Sequence, residues 1–358
     1  MINNDALTDV SIAGRKIGLA QTPFVIAELS GNHNQSLDLA IEMVEAAAKS
    51  GVHAIKLQTY TADTMTLDCE HDDFQISEGD NLWQGNSLHK LYQKAYTPWE
   101  WHKTLFDKAQ SLGLIAFSSP FDISAVEFLE TLDVPCYKIA SFENNDIPLI
   151  TRIAKTGKPV IISTGMASLT EISEAVDCLK SNGCQQIVLL KCTSAYPASP
   201  AQANLKTIAH LRETFGCEVG ISDHTLGIGV SIAGVALGAS VIEKHFVLSR
   251  NDGGVDSAFS LEPHEFKLLV EESDSAAQSI GKITYGGDTS EQNSKKYRRS
   301  IYIAKDIVKG ERLTEHNIKI VRPGFGLAPK HYHQVLGQQV NENVSKGNPL
   351  SWEVLKNG

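Results

Sequence analysis

Eight short runs along the chain begin apolar and β-branched and then turn polar. They are 24–33 (FVIAELSGNH), 54–60 (AIKLQTY), 115–121 (IAFSSPF), 136–142 (CYKIASF), 159–166 (PVIISTGM), 187–197 (IVLLKCTSAYP), 218–225 (EVGISDHT) and 240–247 (SVIEKHFV). Continuous apolar starts of this kind suit parallel strands covered on both faces. Between them the pattern takes a helical period. Residues 37–51 carry Leu39, Met43, Ala46 and Ala47 on one stripe, with Gly51 placed to end the helix. Residues 98–113 start at Pro98, which a first turn tolerates, and stop at Gly113. Residues 169–183 read the same way, with Thr170 placed to cap and Gly183 to stop. Eight strands alternating with helices predict an α/β chain, a (β/α)8 TIM barrel, over residues 1–285 including an N-terminal extension, 1–22. A doubly wound open sheet is the alternative, but no GxGxxG follows the first strand.

Two stretches break the alternation. Residues 63–97 are long for a strand-to-helix connection and hold Trp83, Tyr92 and Tyr96, which predicts an ordered loop on the functional rim. After Gly281 the chain turns polar, giving a linker over 286–298. A compact unit follows over 299–358, with short strands and turns at Lys309-Gly310 and Lys346-Gly347. From Lys295 onward there are twelve Lys and Arg against five Asp and Glu, a net of +7, whereas the preceding 294 residues carry 20 against 37, a net of −17. Opposite charges of this size let the small unit dock on an acidic body, its own or a second copy's; chance variation in a short segment is the plain alternative. The whole chain, 358 residues at −10, does not fit a nucleic-acid binder. No apolar run approaches the roughly 18 residues that would span a bilayer, and the first residues lack a signal-peptide layout. Six cysteines are scattered without a CxxC pair; Cys136, Cys192 and Cys217 lie in or next to apolar runs, so buried free thiols in a reducing cytoplasm are the reading. A catalytic thiol has no paired residue in the sequence to support it.

The chemistry concentrates where the runs turn polar. In a barrel of this kind the strand C-termini form the active rim. They present Glu28, Asn32 and His33; Lys56 and Gln58; Ser118 and Ser119; Lys138, Ser141 and Glu143; Ser163 and Thr164; Lys191, Ser194 and Tyr196; Ser222, Asp223 and His224; and Glu243, Lys244 and His245. Any one of these could be a satisfied structural polar group, but eight ends in register argue for a site. Lysines supply point charges and hydroxyls supply donors, a cradle for phosphate or carboxylate. His224 and His245, beside Glu28, Asp223, Glu243 and Asp256, suit a divalent Mn2+ or Mg2+ with open water positions. Zinc is disfavoured by the expectation that no thiol occupies a comparable strand end.

At these residues the chain resembles the sialic acid synthase (N-acetylneuraminate synthase) superfamily, which condenses phosphoenolpyruvate with an amino-sugar aldehyde. The resemblance is carried by IAELSGNHNQS, AIKLQTY, FSSPFD, YKIASFE, VIISTGMA, LLKCTSAYP, GISDHT, IEKHF and IVRPGFGLAP, in family order over nearly the whole chain. The C-terminal unit resembles the antifreeze-like (SAF) domain of these enzymes. The chain is most similar to the pseudaminic branch. It reads IAELSGNHN where sialic synthases read closer to IAEIGVNHN, and GVDSAFS where they show a GPDH-like run.

The resemblance implies specific roles. His224 and His245 match metal ligands. Lys56, Lys138, Ser119, Ser141, Ser163 and Ser222 match residues that hold phosphoenolpyruvate, with Ser119 in place of the more usual Thr. Gln58, Glu143, Tyr196 and Asp256 match inner-shell and sugar contacts, and Glu28 the acid near a metal-bound water. Ser194 stands where sialic synthases often carry Asn. Arg322 matches an arginine delivered by a swapped C-terminal domain, which implies a homodimer. The implied substrate is 2,4-diacetamido-2,4,6-trideoxy-L-altrose, whose apolar groups would face aromatics such as Phe121, Phe142 and Phe259, unless those pack in the core. The GVDSAFS run and the 63–97 loop are where the sugar would be chosen. Competing readings are a sialic or legionaminic acid synthase, a metal-dependent TIM-barrel aldolase or hydrolase, and a noncatalytic sugar-binding protein.

Overall fold

The computed structural model describes residues 10–76 and 87–355, so Trp83 lies outside the described residues. The chain divides into two compact units, Met1–Ile280 and Gly281–Gly358.

The first unit opens with a hairpin, β1 (Val10–Ile12) and β2 (Arg15–Ile17). Eight parallel strands follow: β3 (Phe24–Glu28), β4 (Ala54–Thr59), β5 (Ile115–Pro120), β6 (Tyr137–Ile139), β7 (Val160–Ser163), β8 (Ile187–Cys192), β9 (Glu218–Ser222) and β10 (Val241–His245). They close in sequence order, with β10 pairing back onto β3. Each apolar run of the sequence becomes one of these strands. Helices α1 (Leu37–Lys49), α4 (His102–Ser111), α5 (Ile123–Thr131), α6 (Ile147–Ala154), α7 (Leu169–Ser181), α8 (Thr207–Phe215), α9 (Gly229–Ala236) and α10 (Pro263–Ser279) cover the outside, while α2 (Ala62–Met65) and α3 (Leu88–Ala95) belong to the long connection between β4 and α4. The cap of α7 is Ser168 rather than Thr170, which lies inside the helix. Ser168 and Glu171 form a reciprocal capping box, satisfying two orphan N–H groups where Thr170 would satisfy one.

Alternation along the strands makes two cores. Val25, Ile55, Tyr137, Ile162, Leu189 and Ile242 point outward into the helix layer. Phe24, Phe117, Ile161, Val188, Leu190 and Val241 point inward and fill the lower lumen. Burying each such side chain stabilises by about 1.5–3 kcal/mol. Val10, Ile12 and Ile17 of the hairpin join the inner cluster, so the segment expected as an extension closes the barrel floor. Further along most of the inward rows the residues become polar, at Glu28, Lys56, Ser119, Lys138, Ser163, Ser222 and Glu243, and that change sets the level of the site.

The second unit pairs β11 (Ser300–Ile303) with β12 (Ile318–Val321) antiparallel. Its own core holds Ile301, Ile307, Leu313, Val335 and Leu350. Gly310 and Gly347 of the two expected turns adopt positive φ, +85° and +91°. The 286–298 stretch carries two exposed helical turns, Thr289–Gln292 and Asn293–Tyr297. No helix among the described residues is long and apolar enough to cross a membrane.

Candidate active site

Strand register converts the sequence runs into one constellation. His245 pairs with Glu28, and Glu28 with Lys56. Gln58 pairs with Ser119, and Cys192 with Ser222. Because the side-chain period is two, Lys56 and Gln58 share the inward face of β4, and Glu243 and His245 that of β10. These groups line a cavity of about 860 Å³ at the C-terminal mouth of the barrel.

Four buried charges form its floor. Lys56 pairs with Glu28 through Oε2 and lies 3.8 Å from Glu243. Lys138 lies 3.5 Å from Glu243. Gln58 Nε2 donates to Glu28 Oε1 at 3.0 Å, and Lys56 Nζ donates to Ser119 Oγ at 3.1 Å. Burial pushes Glu28 up to about 7, with Glu243 adding to the rise and Lys56 opposing it. Burial would raise Glu243 too, but Lys138 and Lys56 hold it below its ordinary value. Burial works against the Lys56 cation, yet Glu243 and Glu28 outweigh it and keep that cation above its ordinary value. Lys138 is lowered, by burial first, with Glu243 opposing and the neighbouring Lys56 cation adding to the effect. Glu143 is pushed up to about 7, mainly by burial, and its Oε2 has no hydrogen-bond partner among the described residues.

Hydroxyls stand beside these charges. Ser163 Oγ is buried and lacks a hydrogen-bond partner among the described residues, which marks it as a group awaiting a ligand. Ser222 Oγ donates to Glu243 Oε1 at 3.2 Å. Gly165 N–H donates to Ser141 Oγ at 3.2 Å, and a Cβ on Gly165 would sit 2.7 Å from that oxygen. Only glycine allows the backbone to come so near.

The two imidazoles lie with ring centroids 5.4 Å apart. His224 Nδ1 is 3.1 Å from the Thr193 carbonyl, so it donates there and leaves Nε2 free as a ligand. His245 is driven well below its ordinary pKa, first by burial and then by His224 and the lysines, which keeps it neutral. Its Nδ1 has no hydrogen-bond partner among the described residues and stands 3.6 Å from Asp256. This donor set fits two imidazole ligands of a divalent ion. No group of three or more His, Cys, Asp or Glu suited to a metal occurs among the described residues.

Of the fifteen residues to which the resemblance gives binding or catalytic roles, twelve line this cavity: Glu28, Lys56, Gln58, Lys138, Ser141, Glu143, Ser163, Tyr196, Ser222, His224, His245 and Asp256. Ser119 sits one layer behind them, holding Lys56. Ser194 is not a lining residue; its Oγ meets Cys192 Sγ at 3.8 Å. Arg322 is exposed in the second unit, just past β12. Asp223 is not part of the constellation, because it points outward and is satisfied by Lys244 at 3.0 Å, Ser231 at 2.6 Å and Thr225. Phe121 and Phe142 line the cavity, whereas Phe259 is buried and packs edge-on to His245 at 4.9 Å. The expectation that no thiol ends a strand is wrong: Cys192 ends β8 and lines the cavity. Burial alone would raise its thiol, but His224, 3.8 Å away, together with Ser141 and Lys138, brings it down to about 7. The apolar run before it made Cys192 read as core; its even spacing from Val188 and Leu190 was the available signal.

Comparison with known proteins places this arrangement. A model of the NeuB family matches residues 43–285, and one of the SAF domain matches 298–356. The chain belongs to the NeuB family. This NeuB-family chain is 44% identical over 327 residues to the pseudaminic acid synthase of Campylobacter jejuni subsp. jejuni serotype O:23/36 (strain 81-176), covering 91% of this chain and 95% of that one. It is 45% identical over 339 residues to the pseudaminic acid synthase of Helicobacter pylori (strain ATCC 700392 / 26695), covering 93% and 98%. Among solved structures it is similar to an N-acetylneuraminic acid (sialic acid) synthetase from Leptospira borgpetersenii serovar Hardjo-bovis in complex with citrate. That match has a TM-score of 0.71 and 31% identity, and covers 80% of this chain and 95% of that one.

Proposed function

We propose that this chain condenses phosphoenolpyruvate with 2,4-diacetamido-2,4,6-trideoxy-L-altrose and water, giving pseudaminic acid and phosphate. The observation that carries the reading is the lumen itself. Two buried lysines and several serine hydroxyls stand opposite two imidazoles, at the strand ends of a closed barrel. That arrangement suits a dianionic three-carbon substrate on one side and a polarised carbonyl on the other.

Lys56, Lys138, Ser141, Ser163 and Ser222 hold the phosphate and carboxylate, and Ser119 orients Lys56. C3 of phosphoenolpyruvate bonds to the aldehyde carbon of the open-chain sugar, and the aldehyde oxygen takes a proton from Glu143. Water adds to C2, and Glu28, fixed by Gln58, takes the water's proton. The C2–O bond to phosphate then breaks as the new C2 hydroxyl passes its proton to the departing phosphate, leaving the keto acid and inorganic phosphate. Tyr196 and Asp256 contact the sugar, with Ser194 placed behind Tyr196. His224 and His245 would hold Mn2+ or Mg2+, which when bound supplies Lewis-acid polarisation of an oxygen. Arg322 of the partner subunit completes the site in a domain-swapped homodimer.

Phosphate release is the test. The wild-type protein is incubated with phosphoenolpyruvate and each of three aldehydes: the trideoxy altrose, its legionaminic counterpart and N-acetylmannosamine. The altrose is expected to be preferred, with turnover lost in EDTA and restored by Mn2+ or Mg2+. Preference for N-acetylmannosamine would defeat the choice of sugar, and aldehyde turnover without phosphate would defeat the chemistry. Full activity in a monomer by light scattering would remove Arg322 from the mechanism.

A further inference from the structure

The cavity has a second wall that the condensation steps proposed above do not use. On β4 the inward row Lys56, Gln58 continues to Tyr60, and on β5 the row Phe117, Ser119 continues to Phe121. Since Gln58 and Ser119 are register partners, Tyr60 and Phe121 come side by side, with ring centroids 5.2 Å apart in an edge-to-face contact. Tyr92 packs against Tyr60 at 5.7 Å. Helix α3 then adds Leu88, Leu91, Tyr92 and Ala95, a spacing of three and four that puts all of them on one face. All four line the cavity, with Met65 beside them.

An amphipathic helix normally lays its apolar face on a core. Here Leu88, Leu91 and Tyr92 are only half-buried, and among the described residues the face borders open cavity. The Tyr60 side chain is almost fully buried, and no hydrogen bond of its hydroxyl is found among the described residues. Tyr60 lines the cavity with Phe121 and Tyr92, and its acidity is suppressed by burial first and by Asp256, Tyr92 and Glu28 next.

Resting on the reaction proposed above, we infer that this wall is the subsite for the methyl-bearing end of the sugar. Leu88, Leu91 and Met65 take the C6 methyl and the C4 acetamido methyl, and the Tyr60 hydroxyl bonds the C4 acetamido oxygen, a group N-acetylmannosamine lacks. The occupant is fixed by continuity. The anionic substrate fills the lysine side, the carbonyl carbon lies at the junction beside the histidines, and among the described residues this is the apolar wall left for the rest of the sugar. A C6 hydroxymethyl group, as in N-acetylmannosamine, would lose water there without gaining a partner.

The test uses the full-length protein and two readouts. Saturation-transfer NMR with the unreacted trideoxy sugar should show the C6 and acetyl methyl protons closest to the protein. Kinetically, Leu88→Asn, Leu91→Ala and Tyr60→Phe should each lower kcat/KM for the trideoxy sugar by about tenfold or more, with N-acetylmannosamine and the KM for phosphoenolpyruvate changed far less. Leu91→Ala and Tyr60→Phe keep the fold if the asparagine does not. Equal losses for both sugars, or a raised KM for phosphoenolpyruvate alone, would overturn the subsite. Methyl-first binding without phosphate release keeps the subsite and sinks the reaction. Phosphate release without discrimination does the reverse, and a sugar that neither binds nor reacts sinks both.

Discussion

The lysine wall and the leucine wall of the cavity are built by different means. Lys56, Lys138, Glu243 and Ser222 stand on strands whose neighbours fix them in register, and each is almost wholly buried. Leu88, Leu91 and Tyr92 stand on a short helix inside the long excursion between β4 and α4, and remain half-exposed. Charge stabilisation depends on donors held before substrate arrives, which the barrel supplies. Choice among sugars depends on shape and apolar area, which a loop-borne helix can vary without disturbing the lysines. If this division is right, damage to the first wall should stop the reaction for every aldehyde, and damage to the second should change which aldehyde is used.

The largest effect is expected from Lys138→Met. It removes one of two cations from the proposed phosphate cradle and leaves Glu243 with Lys56 alone. The kcat/KM for phosphoenolpyruvate should fall by about 10²–10³-fold with all aldehydes alike. Thermal unfolding should show a loss of about 3 kcal/mol, the order expected when one partner of a buried ion pair is removed. Adding Glu243→Gln should recover stability without activity. A loss confined to one sugar would erase the distinction between the walls.

A second measurement divides the charged wall itself. Glu28 and Glu143 are both pushed up to about 7 by burial. Glu28 must be a carboxylate to accept a proton, so its contribution rises as pH passes upward through about 7. Glu143 must be protonated to donate, so its contribution falls over the same range. A bell centred near neutrality should result. Glu28→Gln should remove the rising limb and Glu143→Gln the falling one, each with about 10²–10⁴-fold lower kcat. A profile unchanged in shape in both variants would break these assignments.

The difference between the walls also explains what the sequence could reveal. All eight strands were legible, because apolar runs turning polar carry both the element and the level at which the lumen opens. The charged wall was legible for the same reason: Lys56, Lys138, Ser163, Ser222, His224 and His245 each stand where a run turns. Register was not, so the Glu28–Lys56 pair and the sharing of Glu243 between two lysines appear only in the fold. Asp223 and Lys244 look equivalent to their neighbours in sequence, yet alternation turns them outward into a buried pair with each other. Cys192 was hidden by the apolar residues before it. Tyr60, Leu88 and Leu91 were hidden because half-exposed apolar positions in a long connection carry no period of the barrel. Asn32, noted only as a polar strand-end residue, anchors the loop that carries Asp256. It donates to the Phe246 carbonyl and Ser260 Oγ at 2.9 Å, and its own oxygen accepts from Asp256 N–H at 3.1 Å.

The smallest effect sharpens the border of the apolar wall. Phe121 and Phe142 both line the cavity and look alike in sequence, each just after a strand. Phe121 packs against Tyr60, so Phe121→Ala should loosen the wall and lower kcat/KM for the sugar by about tenfold. Phe142 is 60% exposed at the mouth, where truncation removes little contact that substrate or core depends on. Phe142→Ala should therefore stay within about ±0.5 kcal/mol in stability, and within the equivalent two- to threefold in kcat/KM. Steady-state kinetics on the two variants side by side decides the matter. If Phe142→Ala costs as much as Phe121→Ala, the sugar reaches the outer rim, and the specificity surface extends beyond α3 to the segment that follows β6.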